Sequence, residues 1–400
     1  MSSQLDAWLD ELSHIGGDGR AMNRFAWSPQ LLDANRWLCG RAAELGLDVE
    51  VDAAGNVVVR WGEGDDALAV GSHLDTVPDG GAYDGALGVL SGLESIRRLR
   101  AEGFVPSRPI WLLAFNDEEG ARFGTSMFGS RAFVGEDLTP LADRRGIDGM
   151  TVAEAMHAAG FDLDGVGRAA QVDRVGSYLE LHIEQGPRME RAGLDVSVVS
   201  GIVGMAGYRV RLSGMANHAG TTPMAGRRDA LAGGSRVVLA LRDLAVAHPG
   251  RTVNVGRLQV EPAGANVIPG TCTFTVDLRG PDEAAMTDWD RLLRETVQGA
   301  CDAEGLVADV EPEFSHAPAA CDPALRNVLT EQADRAGLRH EPLLSGAGHD
   351  AQVLARHVPA AMVFVPSVNG VSHTPDEETP PRWREPGVQV LTETLRRLAS

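Results

Sequence analysis

GSHLDTVPDGGAYDG, at residues 71–85, is the stretch that decides the fold, because in it a buried strand gives way to a group of polar side chains. Residues 67–73 are apolar enough to predict that strand. His73 and Asp75 stand two positions apart at its end, so their side chains point to the same face. Asp84 follows in a glycine-rich loop that can fold back toward them. Taken alone, the group fits either a divalent metal site or a polar strand end that caps the next helix.

Apolar strands alternate with helices along the first half of the chain and again near its end. This alternation predicts an α/β core in which a mostly parallel sheet is covered by helices on both faces. The predicted strands are 56–61, 67–73, 109–116, 177–183 and 360–366, and the predicted helices are 28–46, 86–99 and 385–400.

The segment 208–320 follows a different order, β-α-β-β-α-β, which predicts a smaller α+β domain inserted into the core. The chain therefore divides into a catalytic domain of residues 1–207 and 321–400 and an inserted domain of residues 208–320. The predicted strands of the inserted domain are 208–214, 253–262, 271–280 and 307–314, and its helices are 227–247 and 281–305. The candidate core positions of its first helix are Leu231, Val237, Leu239 and Leu241.

The charge of the chain excludes several classes of partner and of chemistry. The 400 residues carry a net charge of -20, and all 36 basic side chains are arginine. Because no general positive field exists, neither nucleic acid nor an anionic membrane is an expected partner. The absence of lysine excludes Schiff-base chemistry, pyridoxal phosphate anchoring and a Walker A phosphate site.

The sequence also bears on the compartment. No apolar run approaches the ~20 residues that a membrane span needs, and the N-terminus lacks the basic and apolar regions of a secretory signal. The cysteines are far apart and form no CxxC pair, so neither a disulfide framework nor a thiolate zinc site is expected. We therefore expect a cytoplasmic protein. The cysteines are Cys39, Cys272, Cys301 and Cys321.

A second polar cluster, AFNDEEGARFG at residues 114–124, follows the predicted strand 109–116. Glu118 and Glu119 are adjacent, and two adjacent glutamates can divide into a metal ligand and a general base. A solvated acidic turn is the alternative for this cluster alone. In open α/β sheets, however, sites lie beyond the carboxyl ends of the strands, which is where both clusters fall.

Two more clusters occupy the same kind of position. His182 and Gln185 stand at the end of one predicted strand, and His373 follows the last one. Histidines and carboxylates at four strand ends of one sheet are hard to explain as helix caps, so together they favour a functional site. His349 and Asp350 fit either a supporting position or a helix start, and we assign them no direct role.

Five motifs in this order resemble one family: GSHLDTVPDGGAYDG, NDEEGARFG, HIEQGP, GMANHAGTTPM and SGAGHDA. They resemble the metal-dependent amidases that comprise N-carbamoyl-L-amino acid hydrolases, allantoate amidohydrolases and β-ureidopropionases. These enzymes are part of the dinuclear zinc aminopeptidase-like and acylase-like hydrolases, whose core fold the resemblance implies here. The likeness runs from residues 23–29 to residues 372–379, and no metal ligand is missing.

The resemblance implies two divalent metal ions per subunit, with zinc in the wider group and manganese, cobalt or nickel also used in this family. A His and carboxylate shell without cysteine does not discriminate among these ions. Asp84 would bridge the ions, Glu118 would be the catalytic base and Asp75 would orient His73. The implied metal ligands are His73 and His182 as terminal ligands, the bridging Asp84, and Glu119 and His373 on the second ion.

The resemblance also implies how substrate is bound. His218 would stabilise the oxyanion in the partner subunit's site, and Asn266 and Arg279 would hold the substrate carboxylate. Gln185 and Gly348 would complete the pocket. From the residues alone, His218 fits a turn histidine equally well, and Arg279 fits a surface salt bridge, although a guanidinium also suits bidentate binding of a carboxylate.

The implied activity is metal-dependent hydrolysis of the linear ureido C–N bond of an N-carbamoyl-L-amino acid, which gives the amino acid, carbon dioxide and ammonia. An allantoate amidohydrolase or another ureido acid hydrolase is the alternative, because both substrates place a ureido carbonyl beside a carboxylate. A peptidase or N-acyl deacylase matches the motifs less well. An inactive, dimeric metal-binding relative is the non-enzymatic alternative. The implied assembly is a homodimer through the inserted domain, which would also act as a lid.

Overall fold

The computed structural model describes residues 3–400. They form two compact units, one made of the chain up to Ser200 together with Ala320–Ser400, and the other of Gly201–Ala319. We call them the catalytic unit and the inserted unit. The inserted domain predicted from the sequence begins later, at residue 208, because its first strand is longer than the polar alternation indicates.

The strands belong to one large sheet, one four-stranded sheet and one two-stranded sheet. In chain order they are β1 Asp48–Val51, β2 Val57–Trp61, β3 Ala67–His73, β4 Ile110–Phe115, β5 Val175–Ile183, β6 Ser197–Ile202, β7 Gly204–Ser213, β8 Asn217–His218, β9 Thr252–Glu261, β10 Val267–Ile268, β11 Thr271–Gly280, β12 Val307–His316, β13 Ala319–Ala320, β14 Leu343–Ser345 and β15 Ala360–Val365.

The helices alternate with these strands as the sequence predicts. They are α1 Gln4–Ser13, α2 Pro29–Glu44, α3 Ala86–Ala101, α4 Phe128–Phe133, α5 Val152–Ala158, α6 Arg188–Ala192, α7 Ala230–Ala247, α8 Glu283–Glu304, α9 Pro323–Arg335, α10 Asp350–Leu354 and α11 Pro381–Leu398, with 3-10 turns at Thr139–Leu141, Leu163–Ala169, Val172–Arg174 and Val368–Gly370.

The large sheet has the strand order β1-β2-β4-β3-β5-β15-β6-β13, with β14 paired to β6. Its centre is parallel: β3 pairs in parallel with β4 and β5, and β15 pairs in parallel with β5. The flanking strands β2 and β6 are antiparallel to their neighbours β4 and β15. The predicted fold class, α/β with a mostly parallel central sheet, is confirmed, and the carboxyl ends of four parallel strands share one edge.

Burial explains why the central strands read as continuous apolar runs. Every residue of β3, β4 and β15 is buried, as expected for a parallel sheet that is covered on both faces. Helix α3 is buried along most of its length and contacts α11. Helix α2 begins at Pro29 because the Ser28 side chain accepts a hydrogen bond from Leu31 N, 3.2 Å away.

The segment that follows β4 has little regular structure but its own apolar cluster. Two short helices and three 3-10 turns occupy residues 128–174, for which the sequence predicts no helix or strand. Their apolar side chains form a satellite core with Trp27, whose ring lies 4.8 Å from the ring of Phe128. A chain that folds around such a satellite core needs no periodic pattern, so sequence periodicity does not describe it.

The inserted unit has the sheet order β12-β7-β11-β9, and every pairing in it is antiparallel. The predicted strands 253–262 and 271–280 form a hairpin, since β11 pairs with β9 from Thr271 opposite Glu261 onward. Helices α7 and α8 supply Val237, Leu241 and Trp289 to its apolar core. Two predicted core positions of α7 are wrong: Leu231 and Leu239 are exposed, because their positions face away from the sheet.

Among residues 3–400, no helix is long and apolar enough to cross a membrane.

Candidate metal centre

The polar side chains at the carboxyl edge of the large sheet come from all four parallel strands. His73 ends β3, Glu118 and Glu119 follow β4, and His182 is the penultimate residue of β5. His373 follows β15, in the loop that leads to α11. The structure thus brings together side chains that are far apart in sequence, as the strand-end argument predicts.

Asp84 lies at the centre of this group. Its Oδ1 is 3.1 Å from His182 Nε2 and 3.8 Å from His73 Nε2. Its other oxygen, Oδ2, is 3.1 Å from His373 Nε2. The two oxygens of one carboxylate therefore face two different sets of imidazoles, which is the arrangement that a bridging ligand requires.

Two groups of ligand atoms meet at this carboxylate. His73, Asp84 and His182 have ligand atoms within 4.8 Å of one another, and so do Asp84, Glu119 and His373. His373 Nε2 is also 3.5 Å from Glu119 Oε1. Imidazole nitrogens and carboxylate oxygens suit zinc, manganese, cobalt and nickel alike.

The hydrogen bonds of two histidines fit metal binding. Nδ1 of His73 is 3.0 Å from the carbonyl oxygen of Asp75, and Nδ1 of His182 is 2.9 Å from that of Ile183. An imidazole that donates from Nδ1 to a carbonyl keeps a lone pair on Nε2, which is the tautomer that a metal ligand needs. Within the described part of the chain, the buried Nε2 of His182 is 3.1 Å from Asp84 Oδ1 but lacks the angles of a hydrogen bond to it or to any other group. These residues therefore fit divalent metal ions.

Glu118 stands apart from both groups of ligands. Its side chain is buried, and its Oε2 lies 3.7 Å from His73 Nε2. Burial raises the pKa of Glu118 well above its usual range, and the nearby carboxylates, Glu119 first among them, act in the same direction. A carboxylate whose proton affinity is raised, beside a metal centre, has the properties of a general base.

The carboxylate of Asp75 has a use that the sequence does not reveal. It accepts hydrogen bonds from the backbone of Glu118, at 3.2 Å, and of Glu119, at 3.1 Å. The hydrogen bond that fixes the His73 ring is instead accepted by the carbonyl oxygen of Asp75, since the carboxylate of Asp75 is 3.7 Å from His73 Nδ1. Asp75 therefore holds the adjacent glutamates in place as well as the histidine.

Several ionisable groups of the site have pKa values far from their usual range. Although burial acts to raise it, the imidazoles of His182 and His373 hold the pKa of Asp84 well below its usual range. Burial and the charge of Asp84 raise the pKa of Glu119 well above its usual range. The hydrogen bond to Asp84 raises the pKa of His373 to about 9. The imidazoles therefore favour the ionised form of Asp84, whereas the charge of Asp84 favours the protonated forms of Glu119 and His373. Bound cations would compensate the carboxylates of this cluster.

A buried polar network lies under the site; the sequence pointed to His349 as a possible supporting residue but not to Glu180. Glu180 accepts hydrogen bonds from Ser72 Oγ at 2.8 Å and from Ala351 N at 2.9 Å. The ring of His349 lies 4.4 Å from that of His182 and bonds to Ser345 Oγ at 2.9 Å. The available signal was the spacing of Glu180, two residues before His182 on one strand face.

A second network fixes the end of β4. Asn116 N donates to Asn56 Oδ1 at 3.0 Å, and Asn116 Nδ2 donates to Ala54 O at 2.9 Å. Asn56 in turn donates to the carboxylate of Asp52 at 2.8 Å. Burial raises the pKa of Asp52 to about 6, even though three hydrogen bonds from Asn56 and Ala54 oppose the shift. This turn therefore positions the strand end from which Glu118 and Glu119 project.

The other predicted residues of the catalytic unit lie in loops. Gln185 adjoins the ligands: its Nε2 donates to Asp84 Oδ2 at 2.7 Å and lies 3.3 Å from His373 Nε2. Gly348 lies in the loop between β14 and α10 and is partly buried.

In the inserted unit, pairing of β8 with β10 brings His218 beside Asn266. His218 lies opposite Val267, and Asn266 O accepts from Ala219 N at 2.9 Å. Both residues are exposed. Nδ1 of His218 accepts hydrogen bonds from two backbone amides, Gly220 and Thr221, so a neutral imidazole carries its proton on Nε2.

Arg279 lies elsewhere in the inserted unit, near the end of β11. Its Nε donates to Asp277 Oδ1 at 2.9 Å. Arg279 therefore forms a salt bridge, which is one of the two interpretations that its sequence position allowed. The side chain is half-buried, and its guanidinium is held by a neighbour on the same strand face.

Comparison with known proteins places this chain in a family. A model of peptidase family M20/M25/M40 matches residues 69–397. The N-carbamoyl-L-amino-acid amidohydrolase of Paenarthrobacter aurescens is 35% identical over 99% of this chain and 98% of that protein. The allantoate amidohydrolase of Bacillus subtilis is 35% identical over 98% of this chain and 96% of that protein.

A solved structure of an amidase is also similar to this chain. The amidase of the hydantoinase/carbamoylase family from Burkholderia multivorans matches with a TM-score of 0.89 and 37% identity, over 99% of this chain and 97% of that chain. The chain therefore belongs to peptidase family M20/M25/M40. Within it, the chain is an amidohydrolase, a hydrolase that acts on linear amide C–N bonds, and the family predicted from its motifs is confirmed.

Proposed function

We propose that the protein hydrolyses the linear ureido C–N bond of an N-carbamoyl-L-amino acid and releases the amino acid, carbon dioxide and ammonia. One observation carries this proposal: Asp84 stands between two groups of metal ligands, and the buried Glu118 belongs to neither. The name of the Paenarthrobacter aurescens relative supports the choice of substrate.

The proposal includes two divalent ions. His73 and His182 would hold one, Glu119 and His373 the other, and Asp84 both. When bound, such ions polarise a carbonyl and lower the pKa of water toward ~7. Zinc, manganese, cobalt and nickel all suit these ligands.

Glu118 carries the proton. It takes a proton from water as the water attacks the ureido carbonyl carbon, and it returns the proton to the departing nitrogen. The high pKa that burial and its carboxylate neighbours give Glu118 suits the first half of this transfer, because it makes the carboxylate a stronger base. Asp75 orients Glu118 through the backbone bond described above.

Residues of the inserted unit bind the substrate in this proposal. His218 donates Nε2–H to the developing oxyanion, in keeping with the two backbone amides that occupy its Nδ1. Asn266 and the forked guanidinium of Arg279 hold the substrate carboxylate. Gln185 and Gly348 complete the pocket. His218 serves the partner subunit's site, so the active form is a homodimer that associates through the inserted unit, which also acts as a lid.

Allantoate is the second candidate substrate, because the Bacillus subtilis relative is named an allantoate amidohydrolase and matches at the same 35% identity. The reaction, the ions and the role of Glu118 are unchanged in this alternative. Only the groups that contact the far end of the substrate differ.

The test is ammonia release from a panel of substrates by protein loaded with zinc or manganese and by metal-stripped protein. The panel contains N-carbamoyl-L-amino acids, their D-enantiomers, N-carbamoyl-β-alanine, allantoate and N-acetyl amino acids. We expect metal-dependent turnover with an L-enantiomer of the first class. A preference for allantoate would replace the substrate, and turnover of N-acetyl amino acids alone would overturn the ureido reaction.

Mixed dimers test the role of His218 across subunits. Glu118→Gln and His218→Ala protein are each expected to lose most of their activity. Mixing them should restore activity, because one of the sites then combines an intact Glu118 with the partner subunit's His218. If the mixed dimers exchange subunits but stay inactive, His218 does not act across the dimer.

A further inference from the structure

Glu377 lies beside the metal centre but outside both groups of ligands. It is buried, and both of its carboxylate oxygens are engaged. Oε1 accepts hydrogen bonds from the backbone of Tyr83, at 2.9 Å, and of Asp84, at 3.0 Å. Oε2 accepts a hydrogen bond from Ser372 Oγ at 2.7 Å. One carboxylate therefore connects the loop of Asp84 with the loop of His373.

The loop of His373 needs such support. His373 adopts a left-handed backbone conformation with φ of 60°, which a residue with a side chain keeps only where its surroundings enforce it. Its side chain is 48% exposed, so packing holds it less than it holds His73 or His182. Ser372, the preceding residue, is fixed by Glu377, and Glu377 N closes the turn by donating to Thr374 O at 3.1 Å.

Gly81 leaves room for the carboxylate of Glu377. A Cβ atom on Gly81 would stand 2.4 Å from both Cβ and Oε1 of Glu377. Any side chain at position 81 would therefore push Glu377 away from the backbone of Tyr83 and Asp84. Gly81 and Glu377 therefore pack closely against each other. This contact connects the loops of Asp84 and His373, two ligands that are far apart in sequence.

We propose that Glu377 is a positioning residue that sets the spacing between Asp84 and His373 and thereby the affinity for the ion held by Asp84, Glu119 and His373. This inference rests on the proposed dinuclear centre. The other ion depends on it less, because His73 and His182 project from buried strands and have their own carbonyl partners. Supporting residues of this kind typically change metal affinity by about 10–100-fold.

The experiment is a calorimetric titration of Co²⁺ into the metal-stripped full chain, with no substrate present. Wild-type protein is expected to bind two ions in separable phases. In Glu377→Ala one of the two phases, that of the ion held by Asp84, Glu119 and His373, should lose affinity by about 10–100-fold, while the other phase changes much less. Glu377→Gln keeps an acceptor oxygen for the two backbone amides and should lie closer to wild type.

Two further variants and a control complete the test. Gly81→Ala displaces the same carboxylate. Ser372→Ala removes the bond of Glu377 to the His373 loop and also the contact of Ser372 Oγ with Asp84 Oδ2 at 3.1 Å, so both variants should weaken the same phase. Glu378→Ala removes an exposed carboxylate at the adjacent position and should leave both phases unchanged. The visible spectrum of bound Co²⁺ gives a second readout of which ion is lost.

The possible failures are distinguishable. A wild-type titration without a second phase would overturn the dinuclear centre itself. A normal wild-type titration that Glu377→Ala leaves unchanged would overturn only the role of Glu377, as would an equal loss of both phases in Glu377→Ala and Ser372→Ala.

Discussion

The two units of the chain differ in whether they bury ionisable side chains. The catalytic unit buries a cluster of ionisable side chains that includes His73, Asp75, Asp84, Glu118 and His182. In residues 201–319, all of which the structure describes, the buried side chains are apolar and the residues proposed to bind substrate lie at or near the surface. Burying charge costs free energy unless partners compensate it, so function and stability are coupled in the catalytic unit and separate in the inserted unit.

The largest effect is expected for Glu118→Gln. Loss of the proton acceptor should lower turnover by about 10²–10⁴-fold, the usual contribution of general acid–base catalysis. Metal content should stay at the wild-type level, because Glu118 belongs to neither group of ligands. Turnover assays together with elemental analysis check both points, and near-normal turnover with metals bound would contradict the proposed role.

His218→Ala tests whether function and stability are separate in the inserted unit. Removal of one oxyanion donor should lower kcat by about 10²–10³-fold. Because His218 is exposed, the unfolding free energy should change by less than about 0.5 kcal/mol. Steady-state kinetics and urea unfolding measure the two effects. A comparable change in stability would mean that function and stability are coupled in the inserted unit too.

Removal of the metal ions should destabilise the catalytic unit alone. A ligand at a hundredfold excess over its Kd stabilises the folded state by about 2.7 kcal/mol, and a chelator removes that contribution. Hydrogen exchange should show lower protection at the ends of β3, β4 and β5 and unchanged protection in α7 and α8. Equal losses in both units would contradict the separation that their burial patterns indicate.

The smallest effect concerns pH and Asp52. Its pKa is raised from 3.8 to about 6 in the folded protein, so its contribution to stability is fully present below pH 3.8 and is lost as the pH rises through 6. Between pH 5 and pH 7 this loss is about 1 kcal/mol. Asp52→Asn should remove it from the difference in urea unfolding between these pH values. Asp243→Asn, an exposed position on α7, is the control and should leave the difference unchanged.

Much of the centre was predictable because its ligands come from strand ends. Strand β3 has the predicted bounds, and each ligand named from the sequence lies at the shared edge. Local pattern suffices there, since a buried parallel strand is a continuous apolar run and its carboxyl end is marked by the first polar residues.

The supporting contacts were not predictable in the same way. Glu180 and Glu377 form hydrogen bonds with partners far away in the sequence, Ser72 and Asp84. No pattern in the neighbouring residues indicates these hydrogen bonds. The exposed Leu231 and Leu239 show the converse error, because helical periodicity does not say how wide the covered face of a helix is.

The central place of β15 has a consequence for synthesis on the ribosome. This strand lies between β5 and β6, yet it is made after the whole inserted unit. Until it emerges, the nascent catalytic unit presents open strand edges, which are prone to wrong pairing and aggregation. His373 emerges later still, so a chain that ends before it lacks one ligand of the proposed second ion. Under the proposed function, such a chain cannot bind both ions.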